Sequence, residues 1–435
     1  MNTRIPEAAN TSATDTGSVQ RVIPIKKDDG RAYGRPAPAY RKELTEVGAG
    51  TPMGELLRRY WHPIGLSIDA TTTPCHVRVL GEDLILFRDW SGNATPQDGH
   101  ASQPGGSPGH RGGRVGLVYP HCAHRGASLY YGKVEARGIR CCYHGWLFDT
   151  EGHCLEQPCE ADGGRARDKV RQPWYPVQEQ YGLIWAYLGP AAKQPVLPRY
   201  ECLETLGDGE FLEADDSSIG GGGPQIIPCN WLQHYENLVD PFHVVILHSS
   251  FSGTQFVEQM ALMPAVTWDT AEHSVRTVSL RKLPDGNTLR RISEASLPTL
   301  RVIPSPRVGR YGMVESLGWV LPIDDTSFRI YVAGRVRETG ELRKMRSRLN
   351  GKLWEELTAE EHREFPGDYE AQVSQGGFAL HSEEHLATSD IGIAKLRRLL
   401  QKQLEAIKDG KDPAGVSFDA NAPPVKFSAG NFLVA

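Results

Sequence analysis

The chain has 435 residues, 39% hydrophobic and 23% charged, with a formal net charge of −5. That is apolar material for two ordinary domains, and the acidic balance argues against nucleic acid as the main partner. Eight cysteines are too sparse for a disulfide scaffold. No 18-residue apolar run predicts a membrane span, and the polar start MNTRIPEAANTSATDTGSVQ lacks the apolar core of a secretory signal, so a reducing cytoplasm is expected.

Residues 1–47 read as a flexible N-terminal arm, the first forty rich in Pro, Gly, Ser and Thr. In TPMGELLRRYWHPIG, Leu56, Leu57 and Tyr60 fall at helical spacing, and Pro63 with Gly65 is expected to close the segment. The runs HVRVLG, DLILFRDW and RVGLVY, each bounded by turn residues, predict short strands of a small β domain over 48–175. The stretch 91–114 has no apolar period and reads as a flexible insertion, with His100 and His110 as solvated loop histidines.

Beyond residue 175 the texture changes. SLGWVLP and FRIYVAGRV read as antiparallel strands joined by the turn IDDT, and helices are expected around 231–248, 353–364 and 390–408. For the last, Asp390 offers a cap, Ile393, Leu396, Leu400, Leu404 and Ile407 form a stripe, and Gly410 ends it. Residues 176–435 therefore read as a second, α+β domain. No internal repeat is seen.

Two constellations carry chemistry. HCAHRG and CCYHGW place Cys122-x-His124 sixteen residues before Cys141-x-x-His144. Zinc sites usually pair Cys with Cys and His with His along the chain. One Cys and one His per loop suits a [2Fe–2S] cluster of the Rieske type, with both thiolates on one iron and both imidazoles on the other. Gly126 and Gly145 are expected to let backbone N–H groups approach the sulfurs. Zinc and plain core residues remain competing readings, and Cys142-Tyr143-His144 leaves Cys142 open as a ligand. Cys154 and Cys159 read as buried or free thiols.

The second constellation is HYENLVDPFHVVILH, residues 234–248. Glu236, Asp240 and His243 share a helical face, whereas His243 and His248 are five apart, half a turn too far for an unbroken helix. Pro241 removes a backbone donor. A bend or π-type turn would bring both imidazoles together, and two histidines with one carboxylate form the facial triad of non-haem Fe(II) oxygenases. Asp240 is one candidate carboxylate, or a group that orients His243. Asp368 in FPGDYEAQVSQGG is the preferred third ligand, against a plain N-cap and against Glu370. A buried helix with hydrogen-bonded histidines is the bland alternative.

On these residues the chain resembles the oxygenase (α) component of a Rieske non-haem iron ring-hydroxylating oxygenase, most of all the phthalate 4,5-dioxygenase-like branch, over most of 48–413. The resemblance implies an N-terminal all-β Rieske domain and a C-terminal α+β catalytic domain of helix-grip type, with an antiparallel sheet and helices. It implies Cys122, His124, Cys141 and His144 as cluster ligands, and His243, His248 and Asp368 as ligands of a mononuclear Fe(2+). Asp240 matches the aspartate that bridges metal centres of adjacent subunits, and Asn237 a residue beside the iron. It further implies O2 and an aromatic substrate, an NAD(P)H-dependent iron–sulfur/flavin reductase as electron donor, and a trimer or stacked trimers without a small β subunit. The reaction expected is mono- or dioxygenation, or O-demethylation. Ala123 and Cys142 depart from the family's usual residues at positions that are not ligands, and the 91–114 insertion bears on reductase docking. A Rieske electron carrier without oxygenase activity is the rival. Arg290, Arg291, Arg301 and Arg307 are candidates for binding a substrate carboxylate, and read equally well as surface arginines.

Overall fold

The computed structural model describes residues 37–91, 112–165, 167–216, 223–253, 255–305, 311–344 and 346–434. The insertion expected at 91–114, with His100 and His110, lies almost wholly outside them, as does Arg307. The flexible arm expected over 1–47 does not extend over residues 39–47, which belong to the main compact unit. Helix α1 (Lys42–Thr45) buries Leu44 completely, as Val47 is buried just after it. Tyr40 stacks on Phe378 with ring centroids 4.0 Å apart, and Thr45 O accepts from Asn230 Nδ2 at 2.9 Å. Two apolar anchors and these long-range contacts outweigh the polar composition that suggested a loose arm.

Helix α2 (Pro52–Leu57) is capped by the Thr51 hydroxyl, which accepts from Gly54 N. It ends earlier than Pro63 and Gly65 would place it. Both residues lie in strand β1 (Trp61–Leu66), whose pairing is interrupted between them. A bulge accommodates the proline there, because the missing N–H then breaks no regular ladder. Strands β2 (Cys75–Val79), β3 (Glu82–Arg88) and β4 (Val115–Val118) form one antiparallel sheet. A second contains β5 (Lys133–Glu135), β6 (Gly138–Arg140), β7 (Leu147–Phe148) and β8 (Cys154–Glu156). Strands β9 (Val177–Gln180) and β10 (Leu183–Tyr187) join β1 in the order β1-β10-β9, so the chain pairs with its beginning once more after residue 175.

After α3 (Glu201–Glu204), a nine-stranded antiparallel sheet dominates. It comprises β11 (Phe211–Asp215), β12 (Ala265–Thr270), β13 (Ser274–Lys282), β14 (Thr288–Ser296), β15 (Leu300–Val302), β16 (Gly312–Met313), β17 (Ser316–Asp324), β18 (Ser327–Val336) and β19 (Gly430–Val434). Pairing of Leu300 with Trp319 and of Trp319 with Tyr331 puts these on one face. That face packs on β10, where Trp319 meets Trp185 edge-on at 5.0 Å. The opposite face carries Trp268, Thr277, Ala295, Gly318 and Phe328.

Helix α4 (Trp231–Asn237) lies over that opposite face. Its His234 stacks on Phe328 at 5.4 Å, and Trp268 Nε1 donates to Val239 O at 2.8 Å. The helix expected over 231–248 is thus two helices, α4 and α5 (Phe242–Ile246), followed by a π turn over Leu247–Phe251. Helices α6 (Glu341–Lys344), α7 (Ala359–Glu364) and α8 (Asp368–Val373) precede α9 (Ile391–Lys408). The expected 353–364 helix splits into a 3-10 turn, Trp354–Glu356, and α7. Leu396 and Leu400 of the α9 stripe are fully buried, and α9 packs on β12 and β13. Asp390 precedes α9 but caps no part of it: its carboxylate accepts from Ala387 N, closing the turn before. Gly410, at φ +76°, ends the helix as expected. This architecture, small antiparallel sheets followed by a nine-stranded antiparallel sheet with helices over one face, is the all-β plus α+β arrangement expected from the sequence.

Candidate metal centres

The two Cys/His loops are built alike. Cys122 N donates to Ala127 O at 2.8 Å and Gly126 N to Cys122 O at 2.9 Å. Cys141 N donates to Trp146 O at 2.9 Å and Gly145 N to Cys141 O at 3.1 Å. Each loop closes on a glycine at positive φ, +73° at Gly126 and +71° at Gly145. Positive φ at these positions favours glycine for the turn itself, and a Cβ on Gly145 would also meet Pro158 at 2.8 Å.

The loops bring together two buried thiols, Cys122 and Cys141, close enough for each to feel the other. Burial first, then Cys141, pushes the Cys122 thiol up to about 11, while the N–H groups of His124 and Arg125 act against the rise. His124 and His144 meet edge-on with ring centroids 4.6 Å apart, and His124 stacks flat on Trp146 at 4.3 Å. Cys142, the alternative ligand, is exposed. Cys154 is buried, Cys159 is exposed, and both are free thiols. Gln172 escaped sequence reasoning: its Oε1 accepts from Ala123 N, and its Nε2 donates to Tyr119 O and His121 O. Nothing local in the sequence ties a residue so distant to this loop.

The second group forms where α5, the π turn and α8 converge. His243, His248 and Asp368 each present a ligand atom, all within 4.8 Å of one another. Asp368 Oδ1 lies 3.3 Å from His248 Nε2 and 3.8 Å from His243 Nε2. The five-residue step works because α5 widens into the π turn from Leu247, with Ser252 N donating to Leu247 O at 2.7 Å. Asp368 is the first residue of α8, after Gly367 as the cap. Burial opposes its ionisation, but His248, His243 and His234 outweigh this and hold its carboxyl well below the usual range. Burial likewise lowers His243, and Asp240 and Asp368 outweigh it, so the imidazole is raised.

Around these lie their supports. Asp240 Oδ1 accepts from Phe242 N at 2.8 Å, and Oδ2 stands 3.5 Å from His243 Nδ1. Asn237 Nδ2 donates to Asp368 Oδ1 at 3.3 Å. Gln255 Oε1 pairs with His248 Nδ1 at 2.7 Å, a contact with no sequence signal. Glu370, the competing carboxylate, is engaged elsewhere by Gly367 N, Arg348, Trp354 and His362. Glu236 binds Arg397 and lies outside the metal group.

The family profile of the Rieske [2Fe-2S] domain matches residues 61–176. The chain is 46% identical to the phenoxybenzoate dioxygenase subunit alpha of Ectopseudomonas oleovorans, over 95% of this chain and 97% of that one. The chain belongs to the Rieske non-haem iron ring-hydroxylating oxygenases. This oxygenase is also 34% identical to the tert-butanol monooxygenase / tert-amyl alcohol desaturase oxygenase subunit of Aquincola tertiaricarbonis, over 86% of this chain and 78% of that one. The crystal structure of dicamba monooxygenase bound to dicamba shares its fold, at a TM-score of 0.56 and 17% identity, over 82% of this chain and 99% of that one.

The oxygenase is an oxidoreductase with a Rieske [2Fe–2S] cluster and a mononuclear iron as its cofactors. Its residues fit both. Two buried thiols and two imidazoles in mirrored loops match the mixed donor set of the cluster. Two histidines and a carboxylate match the facial triad, and each imidazole has a polar partner behind it, as metal-binding histidines need.

Proposed function

We propose that this chain is a terminal oxygenase that inserts oxygen from O2 into an aromatic, carboxylated substrate. The convergence of His243, His248 and Asp368 carries the proposal, because an electron carrier would need no such second centre. When bound, the cluster supplies electrons one at a time and the mononuclear iron supplies the site of O2 activation. Cys122 and Cys141 would hold one iron of the cluster and His124 and His144 the other; His243, His248 and Asp368 would hold the mononuclear iron. Gln255 fixes the His248 ring, and Asp240 fixes that of His243. Asn237 restrains Asp368. The domain division proposed is a Rieske domain over 48–175 and a catalytic domain over 176–435.

An aromatic acid is favoured because the relative named for phenoxybenzoate is the more similar and matches nearly end to end. Mono- and dioxygenation each consume a pair of electrons and a pair of protons per O2; O-demethylation is hydroxylation of a methoxy carbon, with collapse to formaldehyde. An NAD(P)H-dependent iron–sulfur/flavin reductase would deliver the electrons. The assembly proposed is a head-to-tail trimer, single or stacked, in the cytoplasm. Asp240 supports it: Oδ2 has lone pairs free beside its 3.5 Å approach to His243 for a donor from a neighbouring subunit. No helix among the described residues is long and apolar enough to cross a membrane.

The test is turnover of aromatic carboxylates, phenoxybenzoate first, with reductase, NADH and ¹⁸O2. Labelled hydroxylated product is expected. NADH consumption with label in water alone, across the aromatic acids, would contradict the proposal.

A further inference from the structure

The sheet face beneath α4 carries three arginines. Arg291 pairs with Ser279, and Arg301 with both Ala295 and Gly318. Side chains alternate along strands, so Arg281, Arg291 and Arg301 all project to the side of Trp268 and Phe328. They are not equally provided for. Arg281 Nε donates to Leu262 O at 3.0 Å, and Arg291 Nη1 donates to Asn431 Oδ1 at 3.0 Å and Ser305 O at 3.2 Å. Arg301 has no hydrogen-bond or ion-pair partner among the described residues, although its Nε is buried.

The position is built for a guanidinium. A Cβ on Gly318, opposite, would stand 3.3 Å from Arg301 Nη1, so the glycine makes the space. Arg301 also belongs electrostatically to the iron site. Burial pushes its pKa down to about 10 and the Asp368 charge opposes this, so it stays cationic at neutral pH. Its charge also acts on His234, whose ring stacks on Phe328. Asp368 is not its partner, being engaged by Asn237 and facing His248. Arg291 lies four residues from Ala295 along β14, roughly 13 Å away. A half-buried cation whose Nε is shut off from water without a partner is costly, and a planar fork of donors beside a substrate site matches a carboxylate.

Resting on the activity proposed above, we infer that Arg301 is the receptor for the substrate's carboxylate and fixes which part of the ring faces the iron. It is a specificity-determining residue, and it makes the enzyme select aromatic acids over their neutral analogues.

The test is calorimetric titration of the holoenzyme with phenoxybenzoate and with its neutral carboxamide, followed by steady-state kinetics. Wild type is expected to bind the acid roughly 10- to 100-fold more tightly than the carboxamide. Arg301→Gln should erase that preference and raise KM for the acid by a similar factor, with a smaller change in kcat. Its iron content and visible spectrum should match wild type, and Arg301→Lys should recover part of the affinity. Equal binding of acid and carboxamide by wild type overturns the inference whether or not the variant folds. So does a preference kept by Arg301→Gln and lost in Arg281→Gln. If wild type oxygenates no aromatic acid yet shows the Arg301-dependent preference, the proposed activity fails and the receptor stands. If it oxygenates the acids and Arg301→Gln keeps wild-type KM, the receptor alone fails.

Discussion

Cys141 and Cys142 are adjacent in sequence, yet one thiol is buried against Cys122 and the other is exposed. Cys141→Ser should therefore abolish the visible spectrum of the cluster, and Cys142→Ser should leave it intact; absorption spectroscopy of the purified variants decides, and the reverse pattern would contradict the assignment. His62 gives a different kind of expectation. It is fully buried, with Nε2 2.8 Å from Leu57 O, and burial holds its pKa down to about 4. An unfolded histidine takes its proton near pH 6.5. Between those values the unfolded chain binds more protons, so the stability due to a neutral His62 is complete above pH 6.5 and is lost as pH falls toward 4. The loss amounts to roughly 3 kcal/mol at its fullest. His234, held to about 3, acts in the same direction. Urea midpoints of wild type should fall from pH 7 to pH 4.5, and less steeply in His62→Gln; parallel slopes would contradict this. The metal-binding residue types were legible because Cys and His in such spacing have few other uses. Gln172, Gln255 and the isolation of Arg301 were not, since each depends on partners brought near only by folding.

At the scale of elements, periodic patterns carried over and irregular ones did not. The α9 stripe and the β17–β18 hairpin depend on local alternation, and both lie where expected. Pro63 and Gly65 mark helix ends in most contexts, but β1 absorbs them in a bulge. The π turn after α5 was foreshadowed by the five-residue step from His243 to His248, which regular helix geometry forbids. Less visible was the clamp that fixes α4. Arg397 of α9 donates to Glu236 of α4 through Nη2 at 2.8 Å, and to Glu384 through Nη1 at 2.6 Å. Glu236 and Arg397 are both buried. Arg397→Met leaves Glu236 as an uncompensated buried charge and should cost about 3–5 kcal/mol, read from urea unfolding followed by tryptophan fluorescence. A change below about 1 kcal/mol would mean the pair behaves like a surface salt bridge.

In the whole molecule, the two centres must exchange electrons, and the proposed trimer sets Asp240 between the iron of one subunit and the cluster of the next. Asp240→Asn keeps nearly the same shape but puts an NH2 donor where one oxygen accepted. The cluster should still form and reduce, and iron should largely be retained, while cluster oxidation in a single turnover with O2 and substrate should slow by orders of magnitude. Wild-type rates there would return Asp240 to a merely structural role. All of this presupposes that His243, His248 and Asp368 hold an iron separate from the cluster. Counting iron per chain, with the cluster monitored by electron paramagnetic resonance, tests that most directly. The expected result is about three irons in wild type and about two in Asp368→Ala, with the Rieske signal unchanged in both. Two irons in fully reconstituted wild type, or a third retained in Asp368→Ala, would contradict it.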